Sequence, residues 1–135
     1  MVKFRPCVEI YGKQFFPHSL EEEIKAHFSD AHNPEDIGGK GRFEDVNYPF
    51  GRALIEPPAG VQEDDHVRWL FKYLRSNSEK IKSAGGEDIH LKIAIYHNGQ
   101  CNGELSPEVL SNLANLKIPV LFSVYELDDS EWESI

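Results

Sequence analysis

The residues with the most chemical character cluster at the end of the chain. Residues 126–133 read Glu126, Leu127, Asp128, Asp129, Ser130, Glu131, Trp132 and Glu133; five of these eight are acids, and no base follows Lys117. Acid around one aromatic suits a basic protein surface, because charge speeds the encounter and a buried indole slows dissociation. The plainer reading is a solvated tail whose Trp132 folds back on its own domain. A second acidic group, Glu63, Asp64 and Asp65, precedes His66. Carboxylate beside imidazole is raw material for acid–base chemistry, but acids at a helix start are accounted for by the helix dipole. Both groups are therefore candidate partner-binding residues rather than catalytic ones.

Other groupings fail on spacing. His27, Asp30, His32, Glu35 and Asp36 offer imidazole and carboxylate ligands for zinc, yet the two histidines are five apart. Ligation from one helix face needs a spacing of three or four. Cys101 follows His97 by four residues, and a Cys–His pair would lower the thiol pKa. Across a two-residue turn, however, strand geometry sends the two to opposite faces. Gly38-Gly39-Lys40-Gly41-Arg42 is glycine-rich and basic, but it lacks the Walker spacing and precedes a strand instead of a helix. No catalytic residue, metal ligand or cofactor is expected.

The whole-chain balance agrees. The 135 residues carry 14 Lys and Arg against 23 Asp and Glu, a formal charge of −9. Such a surface repels phosphate backbones and anionic lipid, which argues against nucleic-acid and membrane partners and for a cationic one. It also keeps an ordinary protein in solution. At 40% hydrophobic and 11% aromatic, the chain is too apolar for disorder and of a length for one domain. Two cysteines exclude a disulfide-dense scaffold and a four-cysteine zinc site. No apolar run reaches the ~18 residues of a membrane span, and the N-terminus lacks the apolar core of a secretory signal. A reducing cytoplasm is the expected compartment.

Periodicity supplies the elements that must position these residues. Cys7 to Tyr11 alternates, with Val8 and Ile10 on one face. A helix is predicted from Ser19, capped by Ser19 and Glu22 and ending near Asp30, with Leu20, Ile24 and Phe28 on one side. Weak strands are predicted over 42–48 and 51–56. The clearest helix follows Glu63–Asp65: Val67, Leu70, Phe71, Leu74 and Ile81 make its apolar stripe, and Gly85-Gly86 ends it. Leu70, Phe71 and Leu74 are expected to pack on Leu91, Ile93, Val120 and Phe122. Ile89, Leu91, Ile93 and Ile95 alternate toward Asn98-Gly99, a strong hairpin signal, with a return strand predicted over 100–105. Ser106-Pro107 opens a third helix, and 120–126 reads as a last strand.

The expected class is α+β, a mainly antiparallel sheet with helices on one face in the order β-α-β-β-α-β-β-α-β. Residues 1–126 form the domain and 127–135 an acidic tail. Four features carry a resemblance. An alternating strand precedes a hairpin, Leu105-Ser106-Pro107-Glu108 opens a short helix, Ile118-Pro119-Val120 leads to Val124-Tyr125-Glu126, and Tyr11-Gly12 precedes the helix at Ser19. Together they resemble a family of small bacterial proteins built on one uncharacterised domain. Its members are similar to immunity-type proteins found near bacterial toxins, and the resemblance implies no catalytic residues. The middle departs from the family: 41–58, with Tyr48-Pro49-Phe50-Gly51, lacks the tryptophan-bearing strand expected there.

The functional expectation is a non-enzymatic binding protein that occludes a cationic partner, in the form of an immunity protein against a basic toxin. Two alternatives stay open. One is a small ligand- or metal-binding domain or enzyme with a His-lined pocket. The other is a self-associating structural protein, a homo-oligomer pairing at an exposed sheet edge.

Overall fold

A computed structural model describes residues 1–24, 28–39 and 41–135. Nine elements follow in order: β1 (Val2–Gly12), α1 (Pro17–Ile24), β2 (Asp30–His32), β3 (Gly51–Ile55), α2 (His66–Ser83), β4 (Asp88–His97), α3 (Pro107–Leu116), β5 (Val120–Glu126) and α4 (Asp129–Ser134). Short 3-10 turns lie at Gly41–Phe43 and Glu63–Asp65. The class is α+β, with one five-stranded sheet of order β2-β3-β1-β4-β5. All pairings are antiparallel except β4 with β5, which run parallel.

Register divides the sheet into two unlike faces. Val8 lies opposite Leu91 and Ile55, and Ile10 opposite Ile89 and Ala53. Val8, Ile10, Ala53, Ile55, Leu91 and Ile93 are buried with Leu20 of α1, Leu70, Leu74 and Ile81 of α2, and Leu113 of α3. These residues form the core, and three helices cover that face. The glycines past α2 close it off. Gly85 adopts φ +98, its N–H reaches Lys82 O, and the N–H of Gly86 reaches Ile81 O, each at 3.0 Å. This is a Schellman ending, which needs a residue tolerant of the left-handed region. Ser106 caps α3 by accepting the Val109 N–H at 3.2 Å. No helix among the described residues is long and apolar enough to cross a membrane.

Several expectations are corrected. The hairpin at Asn98-Gly99 does not form: Gly99 has φ +80, but 100–105 holds no strand. That segment (Gln100, Cys101, Asn102, Gly103, Glu104) has no alternating apolar residues, and the neighbouring place beside β4 goes to β5. Segment 42–48 is not a strand, because Asp45 at φ 58 cannot continue extended backbone; only isolated bridges, Ile37 with Asn47 and Gly38 with Glu44, remain. The strand beside β3 is β2 instead. The first helix starts at Pro17, so Ser19 lies inside it; Ser29 is already non-helical and Asp30 opens β2. Phe71 is only half-buried, and Phe122 is 55% exposed, so neither belongs to the core, although Val120 at the start of β5 packs against it.

The tail is also ordered. Asp128 accepts the Glu131 N–H at 2.8 Å while the Glu131 carboxylate accepts the Asp128 N–H at 3.0 Å. This reciprocal capping box starts α4.

Candidate binding face

Opposite the core, the sheet presents a face that α1, α2 and α3 leave uncovered. The same alternation that buries Val8 and Ile10 sends Cys7, Glu9 and Tyr11 of β1 outward, with His90 and Lys92 of β4 and Arg52 of β3 beside them. Glu9 is 8% exposed, yet four groups answer its charge. Tyr11 Oη donates to Glu9 Oε2 at 2.9 Å and His90 Nε2 lies 3.1 Å from the same oxygen. Arg52 approaches Oε1 at 3.5 Å and Lys92 at 3.9 Å. Arg52 also binds Asp30 at 2.8 Å and donates to Tyr11 Oη at 3.1 Å.

Burial alone would raise the Glu9 pKa. The Tyr11 and His90 hydrogen bonds, with the charges of Arg52 and Lys92, outweigh it and hold the carboxyl below its usual range. Cys7 shares this face. Burial, reinforced by Glu9 and Glu56 and only partly offset by Lys92 and Arg52, pushes its thiol up to about 11, which disfavours the thiolate near neutral pH. Beside the network, His32 stacks on Tyr48 with ring centroids 3.5 Å apart, and Phe43 and Phe50 close around them. Burial lowers the His32 pKa.

A groove of about 720 Å³ runs across this face, with Leu54 and Lys92 on its floor and Pro57, Pro58, Tyr96 and Tyr125 among its walls. Glu63, ahead of α2, and Ile135, after α4, also line it. The two segments, remote in sequence, thus each contribute one residue to the groove, while no side-chain carboxylate of 126–133 and neither Asp64 nor Asp65 is among its lining residues. The Arg5 side chain there is paired to Glu63 at 2.8 Å. Glu56 lines the groove with no ion-pair partner among the described residues.

The predicted residues fare differently. Trp132 is 9% exposed. Lys3 Nζ lies 5.0 Å from its ring centroid and donates to Ile135 O at 2.8 Å. Its indole is a clamp holding α4 to the domain, not a free surface anchor. Glu126, Asp128, Asp129, Glu131 and Glu133 are exposed, and none makes a salt bridge among the described residues. Three of them shape the segment: Asp128 and Glu131 through the capping box, and Asp129 by accepting from Asn98 at 2.9 Å. The Glu131 N–H and the Ser130 hydroxyl hold the Asp128 carboxyl below its usual range. Asp65 pairs with Arg68, which also reaches Glu108 at 3.0 Å; Asp64 is exposed and unpaired among the described residues.

Among the described residues the histidines do not converge on one pocket. His66 bonds Val61 O, His90 bonds Glu9, His97 bonds Gly99 O, and His32 is stacked. Of the described histidines, only His66 lines the groove. Of the zinc candidates, His27 lies outside the described residues, Asp30 is tied to Arg52, and Asp36 accepts the Asn33 N–H at 2.8 Å. Among the described residues no three His, Cys, Asp or Glu side chains are grouped to hold a metal. In the glycine-rich loop, Lys40 lies outside the described residues, and the Gly38 N–H is spent on Val46 O at 2.9 Å rather than open to an anion. The Glu9 network escaped the sequence patterns; its one local signal is the polar half of the β1 alternation, Cys7, Glu9 and Tyr11. No family model, curated protein or solved structure matches the chain.

Proposed function

We propose that this chain is a non-enzymatic binding protein whose acidic side occludes a cationic protein partner. The carrying observation is the groove on the uncovered sheet face, lined by Glu56, by Glu63 and by Ile135 at the end of the C-terminal acidic segment; the carboxylates of 126–133 and Asp64, outside the groove lining, have no cationic partner among the described residues. The basic groups of the groove are already answered from within, Arg5 by Glu63 and Arg52 by Glu9 and Asp30. A cationic surface would therefore meet uncompensated negative charge at the margins and apolar wall, from Pro57, Pro58 and Tyr125, between them. Apolar centre and charged rim are the ordinary anatomy of a specific interface. An immunity-type role against a basic toxin is the specific form of this proposal, as the sequence resemblance implies.

The test is a partner captured from native lysate on the immobilised chain, purified and followed by binding kinetics at two salt concentrations. The partner should be basic and its association should slow as salt rises. Replacing Asp128, Asp129 and Glu131 by Asn, Asn and Gln keeps oxygens able to cap α4, so the fold should persist while association slows and its salt dependence flattens. For the immunity form, expression of the partner should arrest growth and co-expression of the chain restore it. An unchanged association rate and salt dependence in the neutralised variant would remove the acidic segment from the interface.

A further inference from the structure

The sheet's two edges are protected very unequally. β2 is three residues long, and a short edge strand offers little to pair with. β5 is seven residues long and stands at the opposite edge. Its guards are confined to its two ends, Pro119 before the strand and Glu126 as its last residue. No charged residue occurs between Lys117 and Glu126, and Pro119 precedes the strand instead of interrupting it. Four large apolar residues are open to solvent: Leu121 at 46%, Phe122 at 55%, Val124 at 58% and Tyr125 at 42%.

The backbone shows which groups the edge offers. Pro119 O accepts from Leu91 at 3.0 Å and the Leu127 N–H reaches His97 O at 2.9 Å, so the odd-numbered residues of β5 turn toward β4. The N–H and C=O groups of Val120, Phe122, Val124 and Glu126 therefore point outward. Side chains follow the register with β4. Phe122 and Val124, beside Ile93 and Ile95, lie on the core side, and Leu121 and Tyr125, beside Lys92 and Tyr96, on the open face.

We infer that β5 pairs antiparallel with β5 of a second copy, about a two-fold axis through Ser123, joining two sheets into one of ten strands. This register places Phe122 opposite Val124 of the second copy and Leu121 opposite its Tyr125, apolar against apolar on both faces. It also pairs outward-facing residues with outward-facing residues: Phe122 with Val124 and Val120 with Glu126 exchange hydrogen bonds, while Ser123 meets Ser123 as a non-hydrogen-bonded pair. A register centred one residue later would set Phe122 against Glu126. The four side chains leave on the order of 100 Å² each to cover, and with strand backbone the interface totals roughly 1,000 Å² over both copies, the low end for specific association. A reversible dimer follows, in which two copies of charge −9 repel at low salt. The pairing does not require the cationic partner, shares Tyr125 with the groove, and has a salt response of the opposite sign.

Sedimentation over a concentration series into the high micromolar range should show a monomer–dimer equilibrium that strengthens with salt. Val124→Lys, at an exposed position, should leave the fold intact by circular dichroism and weaken dimerisation at least tenfold. In a Cys101→Ser background, Ser123→Cys should form an intermolecular disulfide under mild oxidation. Leu121→Cys, which faces Tyr125 of the second copy instead of itself, should not. A monomer at every concentration and salt overturns the inference. So does a dimer untouched by Val124→Lys, or equal cross-linking through positions 121 and 123.

Discussion

Trp132 decides between two accounts of the C-terminal segment. As a surface hot spot it would matter only to a partner; as a clamp it matters to the fold. Trp132→Ala separates them. A fully buried tryptophan truncated to alanine costs about 3–5 kcal/mol. Two features lower that figure here. Trp132 is buried outside the main core cluster, and α4 is a six-residue helix at the chain end. Such a segment can undock without unfolding the sheet, so the loss is limited to what docking contributes. Docking comprises the burial of the indole, the Lys3 contact to its face, the Lys3 bond to Ile135 O, and the bonds from Asn98 to Leu127 O and Asp129. With the cation–π contact at ~0.5–1 kcal/mol and the remainder mostly apolar burial, the variant should lose about 2–3 kcal/mol. At this chain length the melting temperature should fall by about 6–12 °C. Thermal denaturation followed by circular dichroism reads the melting temperature and a urea titration the free-energy loss, and a chain ending at Leu127 should lose a similar amount, since both changes release the same segment. A shift equivalent to less than ~0.5 kcal/mol in Trp132→Ala would refute the clamp.

Two further perturbations address buried polar groups. The folded Glu9 carboxyl titrates below its unfolded value, so its stabilisation is present above the unfolded pKa and is lost as pH falls through the folded one; Glu9→Gln should be less stable at neutral pH and lose less between about pH 5 and 3, and parallel acid titrations of the two chains would count against the network. The Tyr73 hydroxyl is buried with no hydrogen-bond partner among the described residues, and burial pushes its pKa up to about 12. Tyr73→Phe should be neutral or stabilising by up to ~1 kcal/mol, and a clear loss of stability would mean the hydroxyl has a partner.

The elements legible in the sequence are those that carry their own period. α2 shows Leu70, Leu74 and Ile81 on one face with Gly85 at its end, and β1 and β4 alternate long enough to declare their buried sides. β2 is shorter than any period and exists because β3 needs a neighbour; nothing local in Asp30, Ala31 and His32 specifies it. The failed hairpin is a different matter. Asn98-Gly99 supplies the turn chemistry and Gly99 takes the positive φ, yet a turn brings two strands together only if the second has apolar residues to place. The segment after it has few. Competition for β4 is settled by an apolar strand farther along the chain, which a local pattern cannot register.

The acidic segment was legible as charge but not as a helix. Six residues are too few for a helical stripe, but Asp128 and Glu131 stand at capping-box spacing, a local signal that a helix begins there. What fixes Trp132 is Lys3 on β1, from the other end of the chain. The Glu9 network is equally non-local, since Glu9 meets His90, and Tyr11 meets Arg52, only through strand register. That dependence works in both directions. Slipping β1 by one residue would turn Glu9 into the core and strip it of Tyr11, His90, Arg52 and Lys92, while exposing Val8 and Ile10. An acid in the middle of a sheet is tolerated only where four donors or cations wait for it, so its presence penalises every register but one. Apolar burial on one face and charge satisfaction on the other therefore select the same alignment, and the surface that the proposed partner meets is held by the constraint that specifies the fold.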